Sequence, residues 1–307
     1  MKKVVVTGAN GFVGSALVEE LVKSGVEVTA IVRNEQSNCS RIKDLPKLKI
    51  VFCPLDEIRN LAKIIVERHF DVFYHFAWEG SAGTLRSNYE LQLKNVQYSC
   101  DAVIASRDIS SKKFVLPGSI MGYECAQIMS TQNVPGSGNV YSAAKLAANY
   151  MARTVAAEVN IDYVVGTISN IYGMGEISPR FVNTTLRKFL SGERTAFTSG
   201  EQIYDFIYIT DAAKAFNAIG ECGQANKNYY IGSIEPKPLK DFLKVMRDRV
   251  DPRIPLNLGE IQYSGVPLDY SLFDLHLLNE DTGFVPEVSF EDGIDKTIAW
   301  LKDRKGV

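Results

Sequence analysis

The sequence predicts an α/β fold built on a doubly wound parallel sheet, and three observations carry this prediction. Short apolar runs alternate with stretches of helical spacing through the first half of the chain. Strands buried on both faces are apolar throughout, which is typical of a parallel sheet with crossover helices. The first run, residues 4–6, leads directly into a glycine-rich segment, residues 7–14. The length of 307 residues, 46% of them hydrophobic, is enough to bury a large core.

The elements of the first half follow from this alternation in chain order. The predicted strands are residues 4–7, 26–32, 49–52, 71–76, 113–116 and 163–167. The predicted helices between and after them are residues 12–23, 57–68, 89–106 and 141–160. Each helix is long enough to cross back over the sheet, as a connection between parallel strands requires.

The alternation of strands and helices becomes irregular after Asn170, where prolines are frequent. Short helices are predicted there at residues 181–190 and 239–249. We interpret this half as a smaller mixed α/β lobe that covers the carboxyl ends of the strands and binds substrate. The predicted division assigns residues 1–169 to a dinucleotide-binding domain, to which residues 202–231 return. Residues 170–201 and 232–307 form the substrate lobe.

The glycines of residues 7–14 have the spacing of a turn beneath a pyrophosphate. Gly8 permits the strand to turn sharply, Gly11 lets the backbone approach the phosphates, and Gly14 lets the helix pack on the sheet. Free N–H groups at the start of the helix then face the anion. The alternative is a glycine-rich turn that binds nothing.

Composition excludes several other classes of function. The formal net charge of −2 gives no general attraction to nucleic acid or to an anionic membrane. Three scattered histidines, His69, His75 and His276, and five cysteines without a C-x-x-C pair indicate no metal centre. The chain enters a strand directly after Met1 and has no apolar span of membrane length, so we expect a cytoplasmic protein.

Tyr141 and Lys145 lie four residues apart on a predicted helix and therefore share one helical face. A free phenol has a pKa of about 10, and a buried ammonium one turn away would favour its ionised form. An exposed Tyr-Lys surface pair has the same spacing. Upstream, Ser119 follows the fifth predicted strand at the edge where reacting groups collect, although a serine there is often only a cap or turn residue.

These features together resemble the extended short-chain dehydrogenase/reductase superfamily, in its nucleotide-sugar epimerase, dehydratase and 4-ketoreductase group. The matching segments are T-G-x-x-G-x-x-G at residues 7–14, H-F-A at 75–77, Asn95, Ser119 with Tyr123, Y-x-x-x-K at 141–145, N-I-Y-G at 170–173, D-F-x-Y-x-x-D at 205–211 and G-F-V-P at 283–286. The resemblance spans nearly the whole chain and implies a Rossmann fold. It also implies a homodimer that pairs through the helices at 89–106 and 141–160.

The resemblance implies roles for individual residues. Tyr141 would be the general acid/base, Lys145 would hold the nicotinamide ribose and lower the pKa of Tyr141, and Ser119 would bind the substrate oxygen. Asn95 would support Lys145 through water. The implied cofactor contacts are Gly8, Asn10, Gly11, Phe12, Val13, Gly14, Arg33, Leu55, Phe76, Ala77, Asn95, Tyr141 and Lys145. The implied substrate contacts are Ser119, Ile120, Met121, Asn170, Arg180 and Tyr204. His75 is interpreted as a packed structural residue.

The end of the second predicted strand bears on the choice of cofactor. Binders of NAD carry an acidic residue there that accepts the ribose 2′-hydroxyl, but this chain has Val32. Arg33 follows and can pair with a 2′-phosphate, with Arg41 and Lys43 as possible helpers. NADP is therefore predicted, and NAD is the alternative. The alternative is that Arg33 is a solvated charge in a loop, in which case it would not favour NADP.

Two departures from the family pattern bear on the reaction. Dehydratases of the group carry an Asp-Glu pair directly after the catalytic hydroxyl, whereas Ile120 and Met121 cannot take a proton. We therefore predict reduction of a keto group by NADPH, at C4 of a nucleotide-linked 4-keto-6-deoxyhexose. Thr167 and Tyr204 replace arginines that approach the substrate diphosphate, for which Arg180 could compensate. The alternatives are a nucleotide-sugar 4-epimerase, a reductase of a non-sugar carbonyl and a non-enzymatic NADP sensor.

Overall fold

The computed structural model describes residues 1–131, 136, 138–265 and 267–305. Its strands are β1 Lys3–Thr7, β2 Glu27–Val32, β3 Leu48–Phe52, β4 Val72–His75, β5 Lys113–Ser119, β6 Asp162–Ile168, β7 Asn170–Tyr172, β8 Ile203–Tyr204, β9 Phe206–Tyr208, β10 Asn228–Ile231 and β11 Lys237–Pro238. Its helices are α1 Phe12–Lys23, α2 Leu61–Ile64, α3 Tyr89–Asp108, α4 Met121–Thr131, α5 Asn139–Glu158, α6 Phe181–Ser191, α7 Ile209–Cys222, α8 Leu239–Val250, α9 Leu277–Thr282 and α10 Phe290–Lys305. Short 3-10 helices cover Leu55–Asn60, Gly83–Ser87 and Tyr270–Leu272.

Seven strands form one parallel sheet in the order β10-β6-β5-β4-β1-β2-β3. The predicted doubly wound parallel α/β fold is thereby confirmed. The order reverses between β1 and β4, and in sheets of this kind the carboxyl ends of the two strands at such a reversal form a ligand crevice. The glycine-rich segment follows β1, and the segment that begins Phe76-Ala77 follows β4.

Alternate residues of the central strands enter two separate apolar cores, because successive side chains point to opposite faces of a sheet. Val4 and Val6 of β1 pack in the same cluster as Leu17 of α1. Val5, between them, belongs to the other cluster, with Phe114 of β5. The near-continuous apolar strands that predicted a parallel sheet are thus buried on both faces.

The predicted helix at residues 57–68 is wrong in its length. The chain forms the 3-10 helix Leu55–Asn60 and one α-helical turn, α2, and then becomes extended at Ile65. Ile64, Ile65 and Val66 are β-branched and favour an extended chain. The Arg68 guanidinium binds the carbonyl oxygens of Ala62, Ile65 and Glu67 and so satisfies acceptors that a longer helix would have used.

After β6 the chain builds two small sheets, in which β7 pairs with β9 in parallel and β8 pairs with β11 in antiparallel orientation. The helices α6 and α8 match the two short helices predicted for this half. The strand β10 lies beside β6 at the edge of the main sheet. In the part of the chain that the structure describes, no helix is both long and apolar enough to cross a membrane.

Candidate active site

The glycine-rich loop between β1 and α1 is tightly packed against the segment after β4. Gly8 has a φ of +63°, and a Cβ atom there would lie 2.7 Å from the backbone nitrogen of Ala77. A Cβ atom on Gly14 would lie 2.2 Å from the carbonyl oxygen of Gly8. Both neighbours are backbone atoms that cannot move aside, so only glycine fits at either position.

A cleft of about 630 Å³ opens above this loop, which is within the usual range of ligand sites. Its walls carry every predicted cofactor residue except Asn95: Gly8, Asn10, Gly11, Phe12, Val13, Gly14, Arg33, Leu55, Phe76, Ala77, Tyr141 and Lys145. The helix α1 starts at the cleft with Gly11 as its N-cap and no side chain capping it. Its first backbone N–H groups are therefore free to bind an anion, and the cleft fits a dinucleotide with its pyrophosphate on the loop.

Arg33 lines the cleft, and its guanidinium is 2.7 Å from the carboxylate of Glu79. Asn95 is not among the residues that line the cleft, and its support of Lys145 through water stays a prediction. Its side-chain amide accepts a hydrogen bond from the Glu79 backbone nitrogen and donates one to the Glu79 carbonyl oxygen, both at 2.9 Å. The predicted helper Arg41 binds the carbonyl oxygen of Gly175.

Two of the three predicted catalytic residues, Tyr141 and Lys145, line the cleft, whereas Ser119 is not among its lining residues. Ser119 is the last residue of β5, and its hydroxyl oxygen accepts a hydrogen bond from the Met121 backbone nitrogen at 3.2 Å. Tyr141 lies in the first turn of α5, near enough to Ser119 for that residue to oppose the rise of its pKa. Lys145, one turn further along α5, donates a hydrogen bond to the carbonyl oxygen of Pro117 at 3.2 Å. The Lys145 ammonium also lies 3.8 Å from the centre of the Trp78 ring, in cation–π geometry.

The ionisation of Tyr141 and Lys145 is governed mainly by burial. Burial raises the pKa of Tyr141, and the charges of Arg180 and Arg86 and the hydrogen bond from Ser119 oppose that rise without cancelling it. Burial lowers the pKa of Lys145 to about 7, with a further contribution from the charge of Arg180. Desolvation of the phenolate thus outweighs the nearby positive charges in this structure. The lowering of the Tyr141 pKa by Lys145 beside an oxidised nicotinamide stays a prediction.

A second cavity, of about 420 Å³, adjoins the cleft, and Ser81 and Arg180 line both. Of the predicted substrate contacts, Met121, Asn170, Arg180 and Tyr204 line this cavity. The side chain of Ile120 instead packs in an apolar cluster with Tyr230 and Phe273. Arg180 is ion-paired with Glu176 at 3.0 Å.

The same cavity holds two charged residues that the sequence analysis did not single out. Arg86, in the 3-10 helix Gly83–Ser87, stacks on the Tyr141 ring with its guanidinium carbon 4.5 Å from the ring centre. Glu124 lines the cavity from α4, and burial raises its pKa to about 7 against the opposing charge of Arg86. No spacing in the sequence connects Arg86 with Tyr141, which is 55 positions away. The only sequence signal for Glu124 was its position directly after Tyr123, which belongs to one of the matching family segments.

His75 is a buried structural residue, as the sequence analysis interpreted it. Its Nδ1 atom lies 2.9 Å from the Thr7 hydroxyl oxygen, so the ends of β4 and β1 are joined by a side-chain hydrogen bond. The Thr7 hydroxyl oxygen also accepts a hydrogen bond from the Ala77 backbone nitrogen at 3.2 Å. Among the described residues, no group of three or more histidine, cysteine, aspartate or glutamate side chains could hold a metal ion.

Comparison with known proteins finds relatives and solved structures that align with nearly the whole chain. A dTDP-glucose 4,6-dehydratase of Shigella flexneri is 22% identical over 97% of this chain and 92% of its own. The Bordetella bronchiseptica enzyme WbmF, solved in complex with NADH, superimposes with a TM-score of 0.78 at 22% identity, over 99% of this chain and 93% of its own. A UDP-N-acetylglucosamine 4-epimerase from Methanobrevibacter ruminantium M1, in complex with UDP-N-acetylmuramic acid, also gives 0.78 at 22% identity, over 99% of both chains.

The two solved structures share the fold of this chain. A family model shows, in addition, the family to which the chain belongs. The model of the NAD dependent epimerase/dehydratase family matches residues 4–232, which include the glycine loop, Ser119, Tyr141 and Lys145. The chain therefore belongs to the NAD dependent epimerase/dehydratase family.

Proposed function

We propose that the chain catalyses the NADPH-dependent reduction of a keto group, at C4 of a nucleotide-linked 4-keto-6-deoxyhexose, with Tyr141 as the proton donor. The observation that carries this proposal is the position of Tyr141 on the cofactor cleft, near Ser119 and in contact with Arg86 of the second cavity. The two residues after Ser119 are Ile120 and Met121, neither of which can remove a proton from a substrate carbon.

Each step can be assigned to a residue of this chain. The cofactor, when bound, supplies a hydride to the carbonyl carbon. Tyr141 donates its proton to the carbonyl oxygen as the C–O π bond breaks, which leaves an alcohol and the oxidised cofactor. Ser119 holds the Tyr141 hydroxyl and orients the substrate oxygen. Burial raises the pKa of Tyr141, so the phenol keeps its proton at neutral pH, as a proton donor requires.

The second candidate is a nucleotide-sugar 4-epimerase, which the similarity to the Methanobrevibacter ruminantium enzyme favours. In that reaction Tyr141 would first remove the proton of a substrate hydroxyl and later return it. That first step needs the ionised phenol, which the burial of Tyr141 disfavours. NAD is then the matching cofactor, since an epimerase restores its own cofactor in each cycle.

The proposed substrate class, nucleotide sugars, is supported by the substrates of related enzymes and by the volume of the cavities next to the cleft. The relatives named above act on or bind nucleotide sugars. A further cavity of about 480 Å³, largely apolar, shares Phe181 and Tyr204 with the substrate cavity and offers room for a base. Arg86 and Arg180 line the substrate cavity together with Tyr204, which replaces a family arginine, and they offer positive charge there.

The test is a product assay with a nucleotide-linked 4-keto-6-deoxyhexose and, in parallel, with the matching nucleotide hexose. We expect stoichiometric oxidation of NADPH with the keto sugar only. Interconversion of two sugars without loss of NADPH would support the epimerase instead. Binding of NADPH without turnover of either substrate would support a sensor.

Tyr141→Phe tests the assignment of the proton donor. We expect loss of turnover with unchanged NADPH binding, because the phenyl ring keeps the packing and lacks only the proton. Tyr150→Phe is the matched control, since Tyr150 lies on the same helix with 66% of its side chain exposed. Unchanged turnover in Tyr141→Phe would overturn the assignment.

A further inference from the structure

The ion pair between Arg33 and Glu79 joins two segments that flank the proposed cofactor cleft. Arg33 follows β2, Glu79 lies four residues after the end of β4, and the strand β1 with the glycine loop runs between them in the sheet. Their side chains meet at 2.7 Å, and both line the cleft. Arg33 is 62% exposed and Glu79 is 32% exposed. A pair this exposed contributes little to stability, so a ligand can displace it at low cost.

Glu79 is held in place more firmly than its exposure suggests. The buried Asn95 side chain binds both the backbone nitrogen and the carbonyl oxygen of Glu79 at 2.9 Å. The neighbouring Gln92 side chain donates to the Gly80 carbonyl oxygen at 3.1 Å. The backbone that carries the carboxylate is therefore fixed, and the carboxylate remains near Arg33 even when a ligand takes the guanidinium.

The charges of the two possible cofactors differ only at the adenosine ribose. NADP carries a 2′-phosphate with a charge of roughly −1.5 to −2 at neutral pH, as other phosphate monoesters do. Arg33 is the guanidinium that could bind this phosphate, but Glu79 already occupies it and would repel the incoming anion. NAD has a neutral 2′-hydroxyl, which meets no such repulsion. Because β2 ends in Val32, it lacks the carboxylate that would otherwise select NAD over NADP.

We propose that Glu79 is a cofactor-specificity residue, whose carboxylate engages Arg33 and opposes a 2′-phosphate, so that the chain binds NADP(H) less tightly than Arg33 alone would allow. This inference rests on the proposed function only in assigning the cleft to a nicotinamide dinucleotide. It gives Asn95 a role as the residue that positions Glu79. It also reconciles Arg33 with a family that is described as NAD dependent.

The test measures the dissociation constants of NADPH and NADH by titration calorimetry, for the wild type, Glu79→Gln, Arg33→Met and the double variant. We expect Glu79→Gln to tighten NADPH by about five- to tenfold and to change NADH by less than about twofold, because the Arg33 guanidinium is then free to pair with the 2′-phosphate. In the Arg33→Met background the same substitution should give a much smaller gain, because the contested guanidinium is absent.

Glu67→Gln is the matched control. Glu67 is 35% exposed and pairs with Lys49, and neither residue lines the cleft, so both dissociation constants should stay unchanged. Glu79→Gln leaves the backbone contacts of residue 79 to Asn95 intact. Glu79→Ser serves as a second variant if Glu79→Gln fails to fold. The inference would be overturned if Glu79→Gln left the ratio of the NADPH and NADH dissociation constants unchanged. It would also be overturned if Glu79→Gln tightened NADPH equally in the Arg33→Met background. Failure of the wild type to bind either dinucleotide would overturn the proposed function itself, and a wild-type preference for NADH would overturn only its choice of NADPH.

Discussion

Tyr141 is subject to opposing influences that belong to identifiable neighbours. Burial raises its pKa, whereas Arg180, Arg86 and the hydrogen bond from Ser119 lower it. Arg86 is the neighbour in direct contact with the ring, 4.5 Å from its centre, and its Nε atom has no hydrogen-bond partner within the described ranges. The charge of Arg86 acts on the Glu124 carboxyl in the same cavity as well.

Arg86→Met should raise the pKa of Tyr141 further, because the phenolate loses a stabilising positive charge. We expect the Tyr141 titration to move to higher pH. The measurement is the ¹³Cζ resonance of labelled tyrosine between pH 7 and 11, with the Tyr141 peak identified by its absence in Tyr141→Phe. Arg86→Lys keeps the charge and should restore most of the wild-type value. A titration curve that is the same in Arg86→Met and the wild type would contradict the influence of Arg86.

His75 should make the stability of the protein sensitive to acid. Burial, with a smaller effect from the charge of Lys145, lowers its pKa to about 3, whereas an unfolded histidine has a pKa of about 6.5. Between these values the unfolded chain binds more protons, so the free energy of unfolding falls as the pH drops. The loss is at most about 1.4 kcal/mol per pH unit.

Urea unfolding at pH 7.5, 6 and 5 measures this effect. His75→Gln removes the titrating group, so its stability relative to the wild type should improve as the pH falls through this range. His69→Asn is the control, because His69 is exposed and should leave the pH dependence unchanged. Parallel pH profiles of His75→Gln and the wild type would show that His75 does not titrate in this way.

At the scale of the elements, the contact between α1 and the loop after β1 depends on Gly14. A Cβ atom there would lie 2.2 Å from the Gly8 carbonyl oxygen, so Gly14→Ala must push α1 away from the sheet. We expect a loss of roughly 1–3 kcal/mol in the free energy of unfolding, as for other overpacked sites, together with weaker dinucleotide binding.

Gly138→Ala provides the comparison for that prediction. Gly138 precedes α5 with a φ of −65°, and an added Cβ atom would meet nothing within 4 Å. Its effect on the free energy of unfolding should stay within about 0.5 kcal/mol. Urea unfolding of both variants tests the pair, and equal stability of Gly14→Ala and Gly138→Ala would contradict the close packing of α1.

The elements also show what the sequence could and could not predict. All six predicted strands exist. Most of them are apolar because both of their faces are buried, whereas β3 at the edge of the sheet is partly exposed. The length of the helix after β3 was mispredicted because the Arg68 side chain, six residues from Ala62, takes up carbonyl groups that helical periodicity assigns to the helix. Hydrophobic periodicity contains no information about such a polar side-chain contact.

The same limit applies to the candidate site. Its motif residues share short spacings, such as the four positions from Tyr141 to Lys145, and could be found by reading along the chain. Arg86 and Glu79 reach the site through contacts across 55 and 46 positions, with Tyr141 and Arg33. Only the order of the strands brings these segments together, and no local pattern encodes it.

At the scale of the whole molecule, the exposed faces of α3 and α5 carry large apolar side chains. Tyr89 and Leu93 on α3 are each 63% exposed, and Tyr150 and Met151 on α5 are 66% and 53% exposed. Exposed apolar groups on neighbouring helices are typical of a protein interface. The family resemblance implies that these two helices pair with those of a second copy, which remains a prediction for this chain.

Light scattering coupled to size-exclusion chromatography tests the homodimer directly. We expect the wild type to elute at twice its chain mass of 34.1 kDa. Leu93→Glu should shift the population toward the monomer, because burying an unpaired carboxylate in an apolar interface costs several kcal/mol. Val66→Glu is the control, since Val66 is 86% exposed and lies outside α3 and α5, so its mass should match that of the wild type. A wild type that is monomeric at all concentrations, or a Leu93→Glu variant that remains fully dimeric, would exclude this face as the dimer interface.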